Sequence, residues 1–236
     1  RYRREHLATL PATDIALRAT CLATGQACQS LERVYVHRSL YERFVARLVE
    51  KAAKVEPNWP DIHAGTIGPF IFAKQAEIVA AQIADARAKG ARVLTGGEIE
   101  DHGGKWLRPT VIVDVDHTMA LMVDETFGPV IPVMAYDSVE EAVALANEGL
   151  FGLSAAVVAG TLEEAEAIGR RIEAVKELTH RRQPGIANGG QAQRAQRSRF
   201  RQQRRSAAAV AQIGGEMKAL HRPDYPVTAT ASPTAR

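Results

Sequence analysis

Two cysteines, Cys21 and Cys28, are all that this 236-residue chain contains. That is too few for a disulfide framework in a chain of this length. With no CxxC pair and no Cys/His cluster, zinc-site spacing is missing too, and no metal site is expected. No apolar run approaches the ~18–20 residues that cross a bilayer as a helix. The basic opening Arg1-Tyr2-Arg3-Arg4-Glu5-His6 is not followed by the apolar segment of a secretory leader. A disulfide-stapled secreted scaffold, a zinc module and a helical membrane protein are therefore excluded. A cytoplasmic protein with no membrane partner is the expectation.

Acidic residues are missing from one part of the chain only. Residues 178–215 contain no Asp or Glu. Residues 1–175 carry 18 Lys and Arg against 24 Asp and Glu, whereas residues 176–236 carry 12 against 3. The net charge of +3 thus hides an acidic body and a basic tail, and the tail's charge says little about what the body binds. Large apolar residues are also sparse in the tail, so no amphipathic stripe forms. Such a segment cannot offset an ordering cost of ~1–2 kcal/mol per residue and is expected to be disordered. The abrupt turn to Arg, Gln, Ala and Gly after Val175 is what an out-of-frame reading of a GC-rich gene would give. We expect residues from Lys176 onward to be such a product.

The body has ample core-forming material, since 46% of the chain is hydrophobic. From residue 13 to 175 helix and strand patterns alternate, which predicts an α/β layer structure. Residues 1–12 form an unmatched leading segment. Asp14 to Thr24 reads as a helix running into Gly25, and Arg33 to His37 as a strand. Ser39 and Glu42 have capping-box spacing, followed by a stripe of Leu40, Phe44, Val45, Leu48, Val49 and Ala52. A second amphipathic helix covers Phe72 to Lys89 with Ile78, Val79, Ile83 and Ala86 inward and Gly90 as its C-terminal cap. Strands are expected at Arg92–Leu94, Thr110–Val115, Val130–Tyr136 and Leu153–Ala159. Pro132 marks the third of these as an edge strand. Ser138/Glu141 and Thr161/Glu164 give two more capping boxes.

Two clusters carry candidate chemistry. Thr24-Gly25-Gln26-Ala27-Cys28 sits between a helix and a strand. A turn there can project a thiol into a cleft, and a glycine lets the backbone bend tightly. Read alone, the same cysteine suits a small buried hydrophobe equally. Asp124-Glu125-Thr126-Phe127-Gly128-Pro129-Val130 precedes another strand. A carboxylate on such a turn can accept from two ribose hydroxyls, and the aromatic can pack on a flat heterocycle. The competing reading is a solvated acidic turn with a core Phe.

Together these clusters resemble the aldehyde dehydrogenase superfamily. Gly25-Gln26-Ala27-Cys28 followed by Arg33-Val34-Tyr35-Val36 is similar to the family's active-site signature. Asp124 to Val130 is similar to its Glu-Glu-x-Phe-Gly-Pro-Val motif. Smaller matches lie in family order at Gly68-Pro69, Ala88-Lys89-Gly90-Ala91, Gly96-Gly97, Arg108-Pro109-Thr110, Ala146-Asn147 and Gly152-Leu153-Ser154-Ala155. The resemblance spans residues 12–175.

It implies an open twisted sheet with helices on both faces, as in the catalytic domain of that family. It also implies NAD or NADP as cofactor, an aldehyde as small-molecule substrate, and the homo-oligomers usual in the family. Cys28 would be the nucleophile, forming a thiohemiacetal and then a thioester. Glu125 would hold the nicotinamide ribose, and Phe127 would pack near the nicotinamide ring. The family's dinucleotide-binding domain and general-base glutamate lie N-terminal to the matched region and have no counterpart here. Gln29 stands where the family has a small or aliphatic residue. Beyond Val175 the expected Gly-x-Val-x-Ile-Asn strand is not found. The alternative is an inactive fragment or interaction module whose arginine-rich tail binds a polyanion such as nucleic acid.

Overall fold

A computed structural model describes residues 4–174, 176–179 and 208–212. Helix α1 (Arg4–Cys21) runs into a short 3-10 turn (Leu22–Gly25) and then strand β1 (Leu31–His37). Helices α2 (Arg38–Ala52) and α3 (Ala73–Ala88) follow, then β2 (Arg92–Thr95), β3 (Ile99–Asp101), β4 (Lys105–Leu107) and β5 (Thr110–Val113). The chain continues through α4 (Ala120–Val123), β6 (Val130–Tyr136), α5 (Val139–Glu148), β7 (Ser154–Val158) and α6 (Leu162–Gly169). Two short strands, β8 (Lys176–Thr179) and β9 (Ala208–Gln212), lie further along.

Seven strands form one sheet in the order β2-β5-β6-β1-β9-β7-β8. All neighbours are parallel except β2 and β5. β3 and β4 make a separate antiparallel hairpin, which the sequence reading did not foresee. Side chains alternate across a strand, so each strand feeds two cores. Val34 and Val36 join Ala12, Ala16, Phe44, Leu48, Ala52, Val111, Ile131 and Val133 on the α1/α2 face. Tyr35, Ile112 and Val130 join Val79, Ile83, Leu121, Ala142 and Ile168 on the opposite face. Helices therefore cover both faces, as the resemblance implied. Each fully buried Leu or Phe contributes ~1.5–3 kcal/mol to holding these layers together.

Several local expectations are corrected. β6 is not an edge strand: it lies between β5 and β1. Its ladder to β5 ends at the Ile112–Pro132 pair and its ladder to β1 begins at Val133, so the missing N–H falls where one pairing hands over to the other. α2 starts earlier than the Ser39 box predicts. His37 is its N-cap, with its ring nitrogen accepting from the Ser39 amide at 3.2 Å. Ser138 and Thr161 do cap α5 and α6, accepting from Glu141 N and Glu164 N. Glu141, however, reaches back to the amide of Asp137 rather than that of Ser138. In α3 Ile78 is 40% exposed, while Ala76 and Gln82 complete the buried stripe. Gly90 does end that helix in a left-handed turn (φ +98°), with Ala91 N donating to Ala86 O.

The expectation of disorder beyond residue 175 is corrected at two places, because β8 pairs with β7, and β9 fills the gap between β1 and β7. Interstrand hydrogen bonding supplies what side-chain patterning did not announce. The expectation of disorder for the rest of 176–236 falls on residues outside those described. Among the described residues no helix is long and apolar enough to cross a membrane.

Candidate active site

The helix leading to the first motif ends at Cys21, three residues short of the expected Thr24. Ala23 (φ +52°) and Thr24 (φ +58°) turn left-handed, and Gly25 (φ +70°) completes the reversal. Two side chains pin this unusual backbone to the segment before α3. Thr24 Oγ1 donates to Gly68 O and accepts from Gly68 N, both at 3.1 Å. Gln26 Nε2 donates to Pro69 O at 3.2 Å, and its Oε1 accepts from Ile71 N at 2.8 Å. The turn then closes with Ser30 N donating to Ala27 O. Cys28 is exposed at its crest. Cys21 is half-buried against the α1/α2 core, and burial pushes its thiol up to about 12.

The second motif forms a turn whose backbone is held from several sides. Gln82 Nε2 donates to Glu125 O at 3.1 Å, and Gln75 Nε2 to Thr126 O at 2.7 Å, both from α3. Glu32 Oε1 accepts from Thr126 N at 3.0 Å and Phe127 N at 2.9 Å. Phe127 is itself left-handed, with φ +47°. Phe127 and Glu125 are both partly exposed residues, although one Glu125 carboxylate oxygen, Oε1, is buried. A carboxylate and an aromatic side chain two residues apart on a clamped turn are groups whose chemistry suits a ribose diol and a flat heterocycle.

The two motifs meet. Cys28 lies three residues before β1 and Phe127 three residues before β6. Those strands are parallel neighbours, so both turns emerge at the amino end of the sheet. The α-carbon of Gly25 packs directly on the Gly128–Pro129 backbone, with no space for a side chain. At the opposite end a cleft between β5 and β6 is lined by Arg38, Tyr41, Asp114 and Met134. It holds no group from either motif, and Arg38 is engaged by Asp137 at 2.5 and 2.8 Å.

Sequence reasoning missed Glu32 and Arg33, both buried at the start of β1. Arg33 donates to Met122 O at 2.9 Å. Burial pushes the Glu32 carboxyl up, an effect only partly opposed by the Phe127 and Thr126 amides and by Arg33. The available signal was two adjacent charges opening an otherwise apolar strand, because buried charges demand partners.

Comparison with known proteins identifies the family and the fold. The sequence model of the aldehyde dehydrogenase family matches residues 10–186, beyond the 175 boundary read from the sequence. Lactaldehyde dehydrogenase of Escherichia coli K12 is 38% identical over 143 residues, which is 60% of this chain and 30% of that protein. Betaine aldehyde dehydrogenase of Cereibacter sphaeroides is 36% identical over 163 residues, 69% of this chain and 34% of that one. The aldehyde dehydrogenase PutA of Anabaena variabilis has a solved structure that superposes with a TM-score of 0.70 at 45% identity, covering 71% of this chain and 36% of its own. A Bacillus cereus aldehyde dehydrogenase in complex with NAD+ gives 0.68 at 32% identity, covering 71% and 34%. The chain belongs to the aldehyde dehydrogenase family. It spans about a third of the length of the relatives it matches.

Proposed function

We propose that this chain carries the nucleophile-bearing part of an NAD(P)-dependent aldehyde dehydrogenase, which oxidises an aldehyde to a carboxylic acid. The observation that carries the reading is the meeting of the two motif turns at the amino ends of β1 and β6, with Cys28 exposed beside them.

Cys28, as thiolate, attacks the aldehyde carbon to give a thiohemiacetal, with its own backbone N–H turned to the developing oxyanion. NAD or NADP, when bound, would supply the hydride acceptor for this oxidation. Water then cleaves the thioester, releasing the acid and the Cys28 thiol. Glu125 would accept from the hydroxyls of the nicotinamide ribose, and Phe127 would pack near the ring. Thr24 and Gln26 hold the nucleophile's turn against Gly68, Pro69 and Ile71. The general base and the dinucleotide cradle have no match in this sequence. Groups of this kind act as a unit, so we expect the isolated chain to turn over little aldehyde.

An activated ester tests the nucleophile without any cofactor. Incubation with p-nitrophenyl acetate should release nitrophenolate as an acetyl group moves to sulfur, and peptide mass mapping should place that group on Cys28. Acetylation of Cys21, or of neither thiol, refutes the assignment. Aldehyde-dependent NADH formation by the isolated chain at ordinary turnover, abolished by Cys28→Ala, would overturn the expectation of low turnover.

A further inference from the structure

We propose that Glu32 is a positioning residue of this site, fixing the turn that presents Glu125 and Phe127. Its carboxylate lies on β1, four residues after Cys28, and is 4% exposed. One oxygen, Oε1, takes both amides, from Thr126 and Phe127. The other, Oε2, is buried with no hydrogen-bond partner among the described residues. A buried carboxylate with half its acceptor capacity unused is a costly way to stabilise a sheet. The arrangement is explained by what it does to the turn.

Two successive amides, those of Thr126 and Phe127, converge on this one carboxylate oxygen, and Phe127 continues the turn with φ +47°. Such a concavity of consecutive N–H groups is an anion-binding nest, and here the anion is built in. The carbonyl side of the same turn is held by Gln82 and Gln75 from α3. Glu32 therefore supplies the amide half of a clasp. Because it comes from the strand that follows Cys28, it also registers the second motif against the first. The functional meaning of this turn rests on the proposed cofactor role of Glu125 and Phe127, but the clasp itself does not.

Amide hydrogen exchange, read residue by residue by NMR on the full chain, separates the two. In Glu32→Ala the Thr126 and Phe127 amides should exchange at least about tenfold faster, the equivalent of one lost hydrogen bond. Strand amides such as those of Val36 and Val133 should be unchanged. Glu32→Gln, whose carbonyl oxygen can accept the same two amides, should restore protection. If Glu32→Ala fails to fold, Glu32→Asp withdraws the oxygen by one methylene and carries the same expectation of faster exchange. Unaltered exchange at Thr126 and Phe127 overturns the proposal. So does an equal acceleration along β1 and β6, which would make Glu32 a general support of the sheet, and so does failure of Gln to restore protection. Should the clasp pass and Cys28 fail acetylation, the functional reading alone is lost.

Discussion

Gly25→Ala probes the contact on which the site depends. Gly25 sits at φ +70°, where an L side chain costs ~1–2 kcal/mol. The added methyl would also overlap the carbonyl of Gly128 and stand 2.9 Å from Pro129 N, well inside the ~3.5 Å of comfortable contact. Both neighbours are backbone, so no side chain can swing aside and the two turns must separate. Overpacking of this sort costs ~1–3 kcal/mol. Together the terms come to ~2–5 kcal/mol, which for a body of this size lowers Tm by roughly 5–15 °C. Gly103→Ala is the control. Gly103 has φ +81° with open space around its α-carbon, so it carries the backbone strain without the overlap. Thermal unfolding followed by circular dichroism should show Gly25→Ala well below Gly103→Ala, and Cys28 should alkylate at an altered rate only in the former. If the two variants melt together, the motif turns are not in the contact described, and the argument that they build one site fails.

Iodoacetamide near neutral pH should label Cys28 before Cys21, whose buried thiol is pushed up to about 12 and so offers almost no thiolate; mass mapping that finds Cys21 first reverses the assignment. Glu32→Gln should stabilise the fold increasingly from acid toward neutral pH. Burial raises the carboxyl above its ordinary value, so the ionised form disfavours folding as pH climbs from the unfolded toward the folded value; a wild-type-minus-Gln stability difference that does not change with pH contradicts this. Leu48→Ala, at a fully buried position on α2, should cost ~2–5 kcal/mol in urea unfolding, and a loss below ~1 kcal/mol would mean the α1/α2 face is not the packed core described. Because the family match runs to residue 186, it is after codon 186 that translating the nucleotide sequence in the other two frames should yield a family-like ending in one of them; if neither does, the tail is a basic extension in its own right.

Layering was legible because it is periodic. Val34, Tyr35 and Val36 alternate between two cores as a strand must, and Phe44, Val45, Leu48 and Ala52 repeat as a helix face must. What the pattern could not convey was pairing. Pro132 argued for an edge, yet β6 is central because its two ladders occupy different halves of the strand. Ala208 to Gln212 has little side-chain signature, yet β9 lies between β1 and β7, since a ladder asks of each residue mainly an amide and a carbonyl. His37 displaced Ser39 as the cap of α2 because an imidazole nitrogen can accept the amide as well as a hydroxyl can.

The site divides along the same line. Cys28, Glu125 and Phe127 are proposed from motif resemblance, and the fold puts each on a turn as an exposed or partly exposed residue. The residues that place them could not, because their function is a backbone contact rather than a chemistry. Gln75 and Gln82 read as ordinary polar positions, and only the fold shows their amides gripping Thr126 and Glu125, as it alone shows motif residue Gln26 gripping Pro69. Glu32 is the sharpest case. In sequence it is one acidic residue at the start of a strand, four positions after the cysteine. In the fold it is a buried anion whose partners stand more than ninety residues away. A substitution that spares every motif residue but removes this carboxylate should therefore loosen the turn that carries Glu125 and Phe127.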